Sequence, residues 1–218
     1  MKVTLISDTH TMHDRLPPLS GDVLVHAGDF YDLAECRDKK LKRLNAWFAK
    51  QDFQVKLFVP GDHDIPVFKS WRAGKNYLSE ATLLVDSVYE YEGVHFYGSP
   101  WVPNADGYAF AMEDERIEET WSKIPLETDV LITHVPPFGA LDDGPFDRGL
   151  GCRVLRRKVR EVRPCCHVYG HIHWSSGYQK LGGTRFVNSS YVNQLRFNEP
   201  RVFEITRSFG GRLDASPI

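Results

Sequence analysis

An α/β fold with a parallel sheet is expected from three features of this 218-residue sequence. Short apolar runs and an amphipathic stretch alternate in the first third, in the order strand, strand, helix, strand. Most of those runs stop abruptly at clusters of Asp, His and Gly. Hydrophobic residues make up 42% and charged residues 26%, ordinary globular usage that excludes a mainly disordered or fibrous chain. The length suits one large domain, taken as residues 1–218.

Residues 2–7 (KVTLIS) and 22–27 (DVLVHA) are apolar runs bounded by turn residues and read as buried strands. Residues 33–50 read as helix, because Leu41, Leu44 and Phe48 recur at helical spacing amid Lys and Arg. Residues 55–59 (VKLFV) form a third strand, stopped by Pro60-Gly61. Strands follow at 83–85, 88–91 and 94–97, with Glu92-Gly93 as a hairpin turn. A Glu-rich helix is expected at 113–123, and the strand 130–133 (VLIT) runs into His134. Residues 135–151, dense in Gly and Pro, read as a loop, and long loops beside polar clusters are more often functional than idle. Its Asp142 and Asp143 are candidates for shaping a substrate pocket. Helix returns at 152–162, with Leu155, Val159 and Val162 on one face and its arginines on a solvated surface. Strands at 167–169, 176–181, 184–188 and 201–205 complete the pattern, with a hairpin around Gly182-Gly183 and a loose tail from Ser208.

A net charge of −2 argues against a nucleic-acid coat or a membrane-surface protein, so stable nucleic-acid binding is not expected. No apolar stretch reaches the length of a membrane span, and MKVTLISDTH lacks the apolar run of a signal peptide. A soluble, cytoplasmic protein is expected. Cys36, Cys152, Cys165 and Cys166 form no CxxC pair and read as reduced thiols.

The polar clusters at the strand ends carry the chemistry. They are Asp8-Thr9-His10, Gly28-Asp29, Gly61-Asp62-His63-Asp64, Thr133-His134 and Gly170-His171-Ile172-His173. Ligand sites of open α/β sheets lie beyond the carboxyl ends of strands, so these clusters should converge. Residues i and i+2 of an extended segment share a side, which lets Asp8 with His10, and His171 with His173, each present two ligands. Carboxylates and imidazoles without thiolates suit Mn, Fe, Zn or Co. Three Asp and four His exceed what one tetrahedral ion needs and suit two ions about 3.5–4 Å apart. A lone DxH or Gly-Asp after a strand is usually a turn, His134 alone could be a core histidine, and GHxH alone is moderately specific.

The succession DxH, GD, GxH[DE], H and GHxH resembles the calcineurin-like metallophosphoesterase superfamily. GDVLVHAGDF, FYGSPW, DVLITHVPP, HVYGHIH, FVNSS and NEPRVFEI are similar to its metallophosphoesterase-domain-containing branch and to class III cyclic-nucleotide phosphodiesterases. The resemblance implies a sandwich of two mixed β-sheets flanked by α-helices, with a dinuclear metal site at one edge. It assigns Asp8, His10 and His173 to one ion and Asp62, His134 and His171 to the other, with Asp29 bridging. His63 becomes the catalytic histidine beside the leaving-group oxygen, and Asp62 acts with it. The implied ions are two divalent metals, Mn foremost, and the implied nucleophile is a bridging hydroxide. The implied activity is hydrolysis of phosphoric esters, with cyclic nucleotides or similar small phosphodiesters as substrates. Nuclease or phosphoprotein phosphatase activity on the same scaffold is the alternative. The oligomeric state is left open.

Two positions depart from the family pattern. Asp62 replaces the usual Asn, adding a third carboxylate charge that should tighten metal binding and weaken the site as an electrophile. A low-turnover metal- and nucleotide-binding protein is the reading that follows if this effect dominates. Trp174 follows GHIH where relatives often carry an acidic residue, and it reads either as a base-stacking or as a half-buried packing residue. His13 lies near enough to His10 in sequence to line the mouth of the site, while His26 reads as a hydrogen-bonded core histidine.

Overall fold

Runs such as KVTLI and VLIT, mostly apolar, become strands covered on both faces, as parallel sheets require. The computed structural model describes residues 1–32, 41–75, 78–193, 196–208 and 211–218. In chain order the strands are β1 (Lys2–Ile6), β2 (Val23–His26), β3 (Val55–Phe58), β4 (Thr82–Leu83), β5 (Ser87–Tyr91), β6 (Val94–Ser99), β7 (Val102–Pro103) and β8 (Ala111–Met112). The second half adds β9 (Val130–Thr133), β10 (Cys166–Tyr169), β11 (Gly177–Leu181), β12 (Thr184–Asn188), β13 (Val192–Asn193), β14 (Arg196–Phe197), β15 (Arg201–Arg207) and β16 (Leu213–Pro217). Four α-helices are found among the described residues: α1 (Leu41–Ala49), α2 (Ile65–Arg72), α3 (Asp114–Ser122) and α4 (Arg153–Val162).

Two six-stranded mixed sheets result, in the orders β16-β15-β1-β2-β3-β4 and β11-β12-β10-β9-β6-β5. Their central strands are parallel and the antiparallel pairs lie toward the edges. Side-chain alternation explains the packing. Val3, Leu5, Val23, Val25 and Leu57 of the first sheet meet Phe96, Val130, Ile132, Val168 and Val187 of the second in a shared core. The opposite faces are capped by helices. Leu24 and Phe58 pack with Leu44, Trp47 and Phe48 of α1 and Val67 of α2. Leu131 and Tyr169 pack with Ile117 and Trp121 of α3 and Leu155, Val159 and Val162 of α4.

Register aligns the strand ends. Ile6 stands opposite His26, and His26 opposite Phe58, while Ile132 stands opposite Val168. The sheets join at this same edge, where Ser7 N–H donates to Ser189 O (3.0 Å) and Tyr191 N–H donates to Ser7 O (2.8 Å).

Both expected hairpins form, with positive φ at Glu92 (50°) and Gly93 (71°) and at Gly182 (59°) and Gly183 (92°). The expected helix over 33–50 is observed as α1 from Leu41, and residues 33–40 lie outside the described residues. The tail differs from expectation. Instead of remaining loose it closes the first sheet as β16, antiparallel to β15, with Ala215 buried in the shared core. Helix α2 and the ribbons β7/β8 and β13/β14 were not anticipated. Cys152, Cys165 and Cys166 are free, as expected, and Cys36 lies outside the described residues.

Candidate metal centre

The strand ends bring the five polar clusters together. Asp8 and His10 follow β1, Asp29 follows β2, and Asp62 and His63 follow β3, all from the first sheet. His134 follows β9, while His171 and His173 follow β10, from the second. The backbone turns sharply there, with φ of 50° at Asp8, 39° at His10, 55° at Asp29 and 66° at His171. Such left-handed conformations cost about 1–3 kcal/mol each for non-glycine residues and cluster at functional sites. Bonds between adjacent loops hold them, from Asp8 N–H to Gly28 O (2.8 Å) and from His10 N–H to Asp29 O (3.0 Å). Two motif glycines are explained by close approach. A Cβ on Gly61 would lie 2.2 Å from Asp29 Oδ1, and one on Gly170 would lie 1.9 Å from Asp8 Oδ2.

Two carboxylate–imidazole triads result: Asp8, His10 and His173, and Asp62, His134 and His171. In the first, His173 Nε2 is 3.2 Å from Asp8 Oδ1 and 3.1 Å from His10 Nε2. In the second, Asp62 Oδ1 is 2.9 Å from His134 Nε2 and 3.2 Å from His171 Nδ1. Asp29 lies between them, Oδ1 3.4 Å from His134 Nε2 and Oδ2 3.7 Å from His10 Nε2. Asp8, Asp29, Asp62 and His134 are buried, whereas His10, His63, His171 and His173 are half-buried.

The donor chemistry fits divalent cations. Backbone carbonyls accept from the outer nitrogens of two imidazoles, Tyr31 O at 3.0 Å from His10 Nδ1 and Ala27 O at 2.9 Å from His134 Nδ1. Each Nε2 then turns a lone pair toward carboxylate oxygens and other imidazole nitrogens, which is repulsive unless a cation or proton lies between. Electrostatics point the same way. Burial would lift the Asp8 carboxyl, but the imidazoles of His173, His134 and His10 hold it well below the carboxylate range. Asp62 behaves likewise between His134 and His171. Burial disfavours a charged His134, yet Asp29, Asp62 and Asp8 raise its pKa above the ordinary value. The same negative field attracts metal cations.

Asp64 organises this centre, a role that sequence reading missed. Fully buried, it accepts from Asp29 N–H (2.9 Å) and Gly61 N–H (2.7 Å) on one oxygen and from Phe30 N–H (3.0 Å) and Tyr31 N–H (3.2 Å) on the other. Burial and the neighbouring Asp29 push its carboxyl up to about 7, against the opposing pull of the Gly61 and Tyr31 N–H groups. The fourth residue of GDHD was its available signal.

His63 stands beside the cluster, Nε2 3.8 Å from Asp62 Oδ2 and 4.0 Å from Asp29 Oδ2, and its backbone N–H donates to Asp29 Oδ1 (2.9 Å). Trp174 is 38% exposed, next to His173. The structure does not bring His13 to the mouth. It is 3% exposed and stacks on Phe30 with ring centroids 4.2 Å apart, because the 3-10 turn Met12–Arg15 directs it inward. Asp142 and Asp143 brace their own loop, accepting from Gly139 and Gly151 N–H and from Gly149 N–H. His26 is a core histidine, 3.1 Å from Thr9 Oγ1.

Fold and cluster together define the class, a metal-dependent phosphoesterase. The family model described as calcineurin-like phosphoesterase matches residues 1–175. Metallophosphoesterase domain-containing protein 1 of Homo sapiens is 33% identical over 228 residues, which cover 92% of this chain and 69% of that protein. The chain belongs to the calcineurin-like phosphoesterase family. Its fold is shared by the phosphopantetheinyl hydrolase of Mycobacterium tuberculosis (TM-score 0.59, 19% identity, 87% and 88% of the two chains covered). It is also shared by a dimetal phosphatase from Danio rerio (TM-score 0.56, 12% identity, 100% and 98% covered). No helix among the described residues is long and apolar enough to cross a membrane.

Proposed function

We propose that the chain is a phosphodiesterase for cyclic nucleotides or similar small phosphodiesters and works with two divalent cations, Mn foremost. Asp8, His10 and His173 would hold one, Asp62, His134 and His171 the other, with Asp29 shared. The observation that carries this reading is the reach of Asp29 into both triads. Bound there, the cations would neutralise phosphate oxygens and make water available as a nucleophile near neutral pH. His63, at the opening with its side chain 23% exposed, hands a proton to the leaving-group oxygen. Its bond to Asp29 Oδ1 fixes the backbone that aims it. Trp174, exposed at the rim, stacks the base.

Steady-state hydrolysis of bis-p-nitrophenyl phosphate, p-nitrophenyl phosphate and cyclic AMP with excess Mn²⁺ tests the reading. The two diesters should be turned over faster than the monoester. The reverse order would make the chain a phosphomonoesterase, and binding of Mn²⁺ and nucleotide without turnover would make it a binding protein. In the same assay His63→Ala should lose about 10²–10⁴-fold in turnover at unchanged metal content. Loss of metal in that variant would instead make His63 a ligand, a role within reach because its donor atom groups with those of His10 and Asp29.

A further inference from the structure

A cavity lies along α2, and Tyr108 on its wall links it to His63. Tyr108, 41% exposed, sets its ring 5.9 Å from the His63 imidazole. The cavity between Tyr108 and α2 measures about 530 Å³ and is walled by Ile65, Phe68, Lys69 and Arg72. That volume is typical of small-molecule sites. Its floor is firm, since Phe68 packs against Trp71 and Phe110. Lys69 and Arg72 are exposed, and neither is paired with a carboxylate among the described residues. At 1.5 Å of rise per residue they stand about 6 and 10 Å along the helix from Ile65, which begins two residues after His63. Lys69 and Arg72, the latter with its guanidinium 5.7 Å from the centre of the Phe68 ring, thus lie about one nucleotide's length beyond the turn that carries His63, and the exposed ring of Tyr108 lines the same cavity.

We propose that this cavity holds the leaving half of the substrate, a nucleoside 5′-phosphate displaced through its 3′ oxygen. The base lies on Tyr108, and the 5′-phosphate meets Lys69 and Arg72. The inference rests on the phosphodiesterase reading and narrows its substrate class to linear dinucleotides with a 5′-phosphate. In the step, the oxygen of water bonds to phosphorus and the phosphorus–O3′ bond breaks. O3′ departs with a proton from His63, and the proton that water loses restores His63. Both products are 5′-nucleotides. A cyclic mononucleotide carries no second phosphate for Lys69 and Arg72 and is the poorer substrate.

Two measurements on the full chain test this. With Mn²⁺, kcat/KM for pApA should exceed that for ApA by about tenfold or more, as expected for a charge-assisted contact. The ratio should fall toward one in Lys69→Ala/Arg72→Ala. In EDTA, calorimetry should show 5′-AMP binding that weakens in this double variant and in Tyr108→Leu. Equal rates for pApA and ApA, or 5′-AMP binding indifferent to the double substitution, would overturn the inference while bis-p-nitrophenyl phosphate is still hydrolysed. Turnover of none of the three would overturn the phosphodiesterase reading beneath it.

Discussion

Asp62 brings a charge into a site where Asp8 and Asp29 already carry two. An amide oxygen could occupy the place of Asp62 Oδ1, 2.9 Å from His134 Nε2 and 3.2 Å from His171 Nδ1, so geometry does not demand a carboxylate. The charge itself is what distinguishes the two. At close range in a half-desolvated site its effect on a cation and on coordinated water is large. Asp62→Asn should release a cation held with His134 and His171 about tenfold more readily, because one Coulombic attraction is lost. With Mn²⁺ in excess it should turn over phosphodiesters faster, and the alkaline rise of activity should move to lower pH. Metal titration and a pH–rate profile of the two proteins check both effects. A slower Asp62→Asn at saturating metal across the pH range would show that the carboxylate takes part in the reaction, for example by orienting His63 from 3.8 Å.

Asp64 couples two connections, the loop after β2 and the turn that opens α2, by accepting from four backbone N–H groups. Asp64→Ala strands those donors in the interior and should cost about 3–5 kcal/mol in urea unfolding. Asp64→Asn keeps one oxygen and should cost less. Equal stability of Asp64→Ala and the parent would refute the coupling. The strands around these connections were legible because buried parallel strands read as unbroken apolar runs, and the five polar clusters because each follows such a run. Helix α2 was hidden by Pro66, which reads as a breaker but sits in the first turn, where its missing N–H costs nothing. Strand β16 (LDASP) has no apolar run, and its conformation comes from pairing with β15. His13 shows that closeness to His10 along the chain says little about which way a turn aims a side chain. Tyr108 sits in a loop, where no periodicity announces a role.

Acid should unfold the protein in part through two buried imidazoles far from water, His26 and His167. Burial lowers both from the ordinary 6.5 to about 3. Between those values unfolding takes up protons, so the stability they contribute is complete above pH 6.5 and is lost as pH falls toward 3. Each proton adds a slope of about 1.4 kcal/mol per pH unit, and His167→Gln should flatten the urea-derived profile by about one proton. An unchanged slope would mean that His167 is already charged in the folded state. The two triads raise a further expectation, since their donors are divided between the sheets. Asp8, His10, Asp29 and Asp62 extend from the first, while His134, His171 and His173 extend from the second. Each triad takes donors from both, so a cation bound to either would fasten the sheets together at the edge where Ser7 already bonds to Ser189 and Tyr191. Such a site exists only in the folded chain, and its binding free energy therefore adds to folding stability. At a hundredfold excess over Kd, one site contributes about 2.7 kcal/mol. For a chain of this size that shifts Tm by about 5–10 °C. Scanning calorimetry with Mn²⁺ and with EDTA should show this rise. Asp29→Ala should abolish most of it because Asp29 faces both triads, whereas Asp8→Asn should remove the share of one site. If Mn²⁺ binds by calorimetric titration and Tm is nonetheless the same in Mn²⁺ and EDTA, the cation does not fasten the sheets, and the triads would have to assemble equally well without the fold.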